Sequence, residues 1–109
     1  MPAKAIADNV EDSWAIVERF TQAMRAAADT QDWLHVLNLA GDRHQQLLQH
    51  FRHFPVGPEN AGFYQVRLNS MLKGEQDLQR IATDARREVM REGLLTNHNY
   101  KAVGAYLAS

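Results

Sequence analysis

Four of the chain's five histidines, His35, His44, His50 and His53, fall in one stretch. They are the side chains that change charge near neutral pH. A metal site would need several imidazoles converging at about 2 Å from one ion. On a helix, His44 falls in an apolar stripe between Ala40 and Leu47/Leu48, while His35 and His53 point roughly the opposite way. No H-E-x-x-H pattern occurs. The spacing therefore predicts no metal site, and it predicts that His44 is a core or groove histidine held by one hydrogen bond. A role as ligand or pH switch is the alternative. There is no cysteine, so thiol nucleophiles, disulfides and thiolate metal sites are excluded. No phosphate loop, dinucleotide glycine motif or nucleophile elbow appears, and no cofactor is expected.

The arginines are the second candidate chemistry. Arg80, Arg86, Arg87 and Arg91 form a basic cluster, but Asp77, Asp84, Glu88 and Glu92 interleave with it at helical spacing. That pattern predicts a solvated, ion-paired face. With 12 Lys+Arg against 13 Asp+Glu the net charge is -1, which argues against a protein held to nucleic acid by bulk charge. A helical regulator that binds nucleic acid is kept only as an alternative. A second alternative is a small all-α enzyme of the chorismate-mutase type. Its dicarboxylate substrate needs converging cations, and Arg43 and Arg67, at or inside apolar stripes, are the candidate clamp. Such arginines more often snorkel or pair at a bundle edge, so no enzymatic activity is expected.

The elements that must carry these residues are helices. At 109 residues the chain has single-domain size. Ala, Leu, Gln, Arg and Glu dominate, which favours helix. Val10, Trp14, Val17, Phe20, Met24 and Ala28 form one stripe, predicting a helix from about 9 to 28 capped by Asp8 or Asn9. Asp29 or Thr30 is the expected cap of a second helix, 31 to 53, with Trp33, Val36, Leu37, Ala40, Leu47, Leu48, Phe51 and Phe54 on its apolar side. Pro55-Val56-Gly57-Pro58 breaks the chain. A long third helix starts near Asn60 with Phe63, Val66, Met71, Leu78, Ile81, Ala82, Ala85 and Val89 as its stripe, and Gly93 is its expected stop. Residues 94–109 form a short helix or a tail. Asn97 or Asn99 is the cap, and Tyr100, Val103 and Leu107 share one side. Short connections between such helices predict an all-α antiparallel bundle of three long helices plus a short C-terminal one. Residues 1–8 read as a flexible tail without the apolar core of a secretion signal, and no run reaches the ~18 apolar residues of a membrane span. The expected location is the cytoplasm.

Several apolar residues fall off the main stripes: Ile16, Leu34, Leu39, Leu68 and Leu72. Leu68 and Leu72 are one turn apart on a second face of the third helix, with Tyr64 and Gln79 nearby. Either that helix touches two neighbours, or this face is a groove for an amphipathic partner helix. An empty apolar groove also makes a homodimer plausible on physical grounds.

Trp33-Leu34-His35-Val36-Leu37 opens a helix that leads through Arg43 to Gln46-Leu47-Leu48. After the Pro55–Pro58 break comes a long helix with Leu68, Leu72, Leu78 and Ile81, then Arg86-Arg87-Glu88 and a short tail with Asn99-Tyr100. This order, over roughly residues 10 to 107, resembles the FliT family of flagellar export chaperones. The resemblance implies a cytosolic protein that binds the C-terminal helical region of the filament-cap protein (FliD) and prevents its aggregation. It also implies delivery to the flagellar type III export apparatus and, in some bacteria, binding of the FlhDC activator of flagellar genes. It further implies a groove on the second and third helices, with Leu34, Leu39, Tyr64, Leu68, Leu72 and Gln79, covered by a regulatory C-terminal segment carrying Tyr100, Val103 and Leu107.

Overall fold

The computed structural model describes residues 9–93 and 98–108. The expected tail 1–8 and the candidate cap Asn97 lie outside them. Four helices follow in order: α1 Val10–Asp29, α2 Trp33–His53, α3 Ala61–Glu92 and α4 His98–Ala108. The architecture is all-α, three long helices and a short one, as the periodicity predicts.

Local chemistry sets the helix ends. Asn9 caps α1, its side-chain oxygen accepting from the Asp12 N–H at 2.8 Å, and Glu11 and Asp12 in the first turn suit the helix dipole. The turn into α2 differs from expectation. Asp29 and Thr30 do not cap α2; Asp32 does, accepting from the His35 N–H at 3.2 Å. Residues 28 to 32 close α1 instead. The Gln31 N–H bonds the Ala28 carbonyl and the Asp32 N–H bonds the Ala27 carbonyl, both at 2.9 Å, around Gln31 in the left-handed region at φ 59°. This is the Schellman arrangement, with glutamine where glycine is usual. Gly93 makes the corresponding stop of α3 at φ 76°. Asn99 is inside α4 and not its cap.

Antiparallel packing joins α1 to α2. The long α3 runs beside α1, and α4 packs against both α2 and α3. Among the described residues no Cα of α2 comes within 8 Å of one on α3. Helices in direct contact sit 8–10 Å apart axis to axis, so α2 and α3 face each other across a gap, and α4 fills its upper part. The result is elongated, 52 × 31 × 19 Å. One core lies at the α4 end, built from Met24, Trp33, Val36, Leu78, Ala82, Val103 and Tyr106. The other lies at the opposite end, where Trp14, Val17 and Tyr64 pack with Phe51, Phe63 and Met71. Two residues expected in the apolar stripes, Leu48 and Val66, are instead exposed. The stripes of α2 and α3 are wider than the surfaces their neighbours cover.

His50, and not His44, is the buried histidine, 1% exposed. Its Nε2 lies 2.6 Å from the Tyr64 hydroxyl, which donates to the Phe54 carbonyl at 2.6 Å. The Tyr64 oxygen must therefore accept from a protonated Nε2. The other ring nitrogen, Nδ1, accepts from the Ser13 hydroxyl at 2.7 Å. This neutral tautomer satisfies every group in a chain that ties α1, α2 and α3 together. Trp14, Phe51, Phe54 and Tyr64 pack round the ring. Burial pushes the His50 pKa below its ordinary 6.5 and the Tyr64 phenol above its ordinary 10.0.

Two outcomes follow. Gln31→Gly removes a left-handed non-glycine residue and should stabilise the fold by roughly 0.5–1 kcal/mol in urea denaturation; a loss of stability would show that the glutamine side chain contributes more than its backbone costs. The second concerns pH. Unfolded His50 takes a proton near pH 6.5 while the folded one resists it, so the unfolded state binds more protons there and stability falls as pH drops through 6.5. Urea midpoints at pH 7.5 and 5.0 should differ more for the wild type than for His50→Gln.

Candidate binding groove between α2 and α3

The gap between α2 and α3 is bridged by long side chains. Arg43 on α2 is buried, and its Nη1 lies 2.5 Å from Glu75 Oε1 on α3. The same Nη1 donates to Thr21 Oγ1 on α1 at 3.1 Å. Tyr106 on α4 donates its hydroxyl to Glu75 Oε2 at 3.4 Å. Each of the four helices thus contributes one residue to a single polar layer. Burial, the Glu75 charge and the hydrogen bond to Glu75 push the Tyr106 phenol up to about 12, against a smaller opposing pull from Arg43.

Around this layer the gap is open. A cavity of about 450 Å³ is lined by Leu37, Ala40, Gly41, Arg43, His44 and Leu47 from α2, Glu75 and Gln79 from α3, and Tyr106 from α4. Its size is in the range of ligand pockets. Its two walls match. Leu37, Gly41, His44 and Leu48 on α2, and Leu68, Leu72, Glu75 and Gln79 on α3, share the spacing i, i+4, i+7, i+11, which keeps each set on one face. The Arg43–Glu75 and His50–Tyr64 contacts fix the antiparallel register. That register sets Leu48 across from Leu68 and His44 across from Leu72. Leu48 is 47% exposed, Leu68 41% and Leu72 58%. These three leucines form the apolar lip of the groove beyond the end of α4.

The structure places the remaining sequence-predicted residues as follows. Gln79 is exposed at the cavity, and Leu34 is exposed near the start of α2. His44 lines the cavity and is exposed, so it is a groove and not a core histidine. Tyr64 is not a groove residue: its ring is buried against His50, Trp14 and Phe51 and its hydroxyl is used internally. Leu39 is half-buried against the core at the α4 end and does not line the cavity. Val103 is buried, Leu107 packs on the same core and Tyr100 is half-buried, so this segment is docked. Arg43 was singled out only as half of an anion clamp, and Glu75 and Tyr106 were not anticipated at the groove. The available signal was a lone arginine between Ala40 and Leu47 and a lone glutamate between Leu72 and Leu78, each inside an apolar stripe.

The two arginines weighed as an anion clamp do not converge. Arg43 is engaged by Glu75, whereas Arg67 stacks over the Phe63 ring at 4.1 Å and lines a separate cavity between α1 and α3. On the outer face of α3, Arg80 pairs with Asp77, Arg87 with Asp84 and Arg91 with Glu88. Among the described residues, no group of histidines and acids is placed to hold a metal ion, and no helix is long and apolar enough to cross a membrane.

No protein-family model, curated protein or solved structure matches the chain.

The polar layer makes an asymmetric prediction. Glu75→Ala strands a buried guanidinium and should cost roughly 3 kcal/mol or more. Tyr106→Phe removes one long hydrogen bond and should cost about 1 kcal/mol or less. Thermal melts of both variants at pH 7.5 test the ranking.

Proposed function

We propose that this chain is a helix-binding export chaperone working in the cytoplasm. It captures the C-terminal helical region of a filament-cap protein in the α2–α3 groove, shields it from self-association and hands it to the flagellar export apparatus. The observation that carries the binding part is the state of the groove. One end of it holds an amphipathic helix, α4; an open cavity lies at the Arg43–Glu75 layer, and Leu48, Leu68 and Leu72 are exposed on the walls that continue past it. An isolated exposed leucine is ordinary, but three on facing walls of one groove form a patch of the kind that marks interaction sites. A partner helix contributes about 25 cal/mol per Å² of apolar surface it buries there, before ordering costs.

The flagellar assignment rests on the order of residues that resembles the FliT family. Within that assignment, α4 is the regulatory segment, since it covers part of the surface a longer partner would use. Binding of the FlhDC activator belongs to the same proposal. Dimerisation through the leucine lip is the competing use of this surface.

Leu72→Asp tests the proposal. Leu72 is mostly exposed, so the variant should keep wild-type helicity by circular dichroism. Calorimetric titration with a C-terminal segment of the filament-cap protein from the same organism should show affinity reduced by about tenfold or more, equivalent to 1.4 kcal/mol. Unaltered affinity, or no binding by the wild type, overturns the assignment.

A further inference from the structure

The helix already in the groove shows what the groove recognises. α4 meets it with Asn99, Ala102, Val103, Tyr106 and Leu107, the i, i+3, i+4, i+7, i+8 pattern of a helix laid in an apolar groove. Ala102 and Val103 are buried between the two polar residues. Each polar residue answers a particular group on the wall. Trp33 is the first residue of α2, so its N–H has no partner within the helix. Asn99 Oδ1 accepts that N–H at 3.0 Å. Seven residues on, about 10 Å along the axis, the Tyr106 hydroxyl donates to Glu75 Oε2. The groove thus offers one fixed donor and one fixed acceptor, with apolar wall between them.

We propose that these two groups set partner specificity. The groove selects an amphipathic helix with an acceptor side chain at one position, small or aliphatic residues three and four positions later, and a hydroxyl or amine donor at the seventh. A helix that fits the apolar wall but lacks them leaves the Trp33 N–H unpaired inside the interface and Glu75 with one partner fewer. Unmade bonds of this kind discriminate more strongly than a missing methylene. The inference rests on the groove being a helix-binding site, and it adds the chemistry of the occupant.

The test uses the full-length chain with Val103→Asp, chosen to undock α4, with retention of the α1–α3 helices checked by circular dichroism. The probe is a synthetic peptide of residues 98–108, titrated by calorimetry or fluorescence anisotropy. The wild-type peptide should bind saturably. The Asn99→Ala peptide should bind about tenfold more weakly and the Tyr106→Phe peptide up to about fivefold more weakly, and a Lys101→Ala peptide, altered on the exposed side, should match the wild type. If all four bind alike, the specificity rule is overturned and the helix-binding groove stands. If none binds, both fail. A Val103→Asp chain that forms dimers by light scattering and excludes the peptide also overturns the rule, because a second copy is then the occupant. A folding failure of that variant is covered by hydrogen exchange on the otherwise unaltered chain. There, Asn99→Ala and Tyr106→Phe should each speed exchange of residues 98–108 several-fold while Lys101→Ala does not. Equal exchange in all three overturns the proposal.

Discussion

The Arg43–Glu75 ion pair is the contact on which the shape of this protein depends. Two helices that pack through leucines and alanines come within 8–10 Å. Here the meeting of α2 and α3 is made by a guanidinium and a carboxylate at the ends of long side chains, and toward the loop end by His50 and Tyr64. Pairs of this length act as spacers. A buried guanidinium cannot be left unpaired without a cost of several kcal/mol, so α3 cannot collapse onto α2 without displacing it. The space between the two helices follows from that constraint. α4 fills it at the end where Trp33, Val36, Leu78 and Ala82 would otherwise face water.

The two polar layers do different work although both cross helices. The Ser13–His50–Tyr64–Phe54 chain is neutral, directional and closed among α1, α2, α3 and the following loop. It specifies how three long helices meet near the Pro55–Pro58 turn. The Thr21–Arg43–Glu75–Tyr106 layer is charged and reaches α4 through one long bond. Its core is the ion pair, and the tyrosine is an accessory. α4 packs on both α2 and α3, so it joins two helices that do not pack directly on each other. The short-range pairs on exposed helix faces, such as Arg25 with Asp29, contribute little beside these layers.

Elements controlled by local chemistry were legible in the sequence. Asn9 as a cap, Pro55 as a barrier and Gly93 as a stop each act within one turn, and each ends a helix where the residues predict. The turn at Gln31 was not legible, because glutamine carries no signal for a left-handed backbone and the Schellman bonds form regardless. The site residues divide the same way. Leu68 and Leu72 stood out as apolar residues off the main stripe, and they are exposed. Tyr64 lies close to them in helical angle but is buried, because the ring that covers it comes from α2. His44 and His50 exchanged places for a related reason. A stripe calculation weighs residues on one helix, whereas His50 is buried by a serine and a tyrosine from two other helices. Arg43 stood out at the edge of its stripe, but its pairing with Glu75 was not legible, because charge normally marks the outside of a helix and only the partner makes the inside tolerable.

Among the described residues, α4 occupies one end of the groove. Asn99 sits at the level of Trp33, and Tyr106 at the level of Arg43 and Glu75. The helix ends at Ala108, whereas the matched walls continue to Leu48 on α2 and Leu68 on α3. The stretch beyond α4 is where the wall turns from polar to apolar, passing from Glu75 and His44 to the three exposed leucines. A longer helix lying in the whole groove would meet, in order, the Trp33 N–H, the Glu75 carboxylate and then the leucine lip. The first two fix register through directional bonds, and the last supplies apolar area beyond the described residues of α4. That division separates alignment from apolar burial: an occupant that also covers the lip gains binding energy without any change in register.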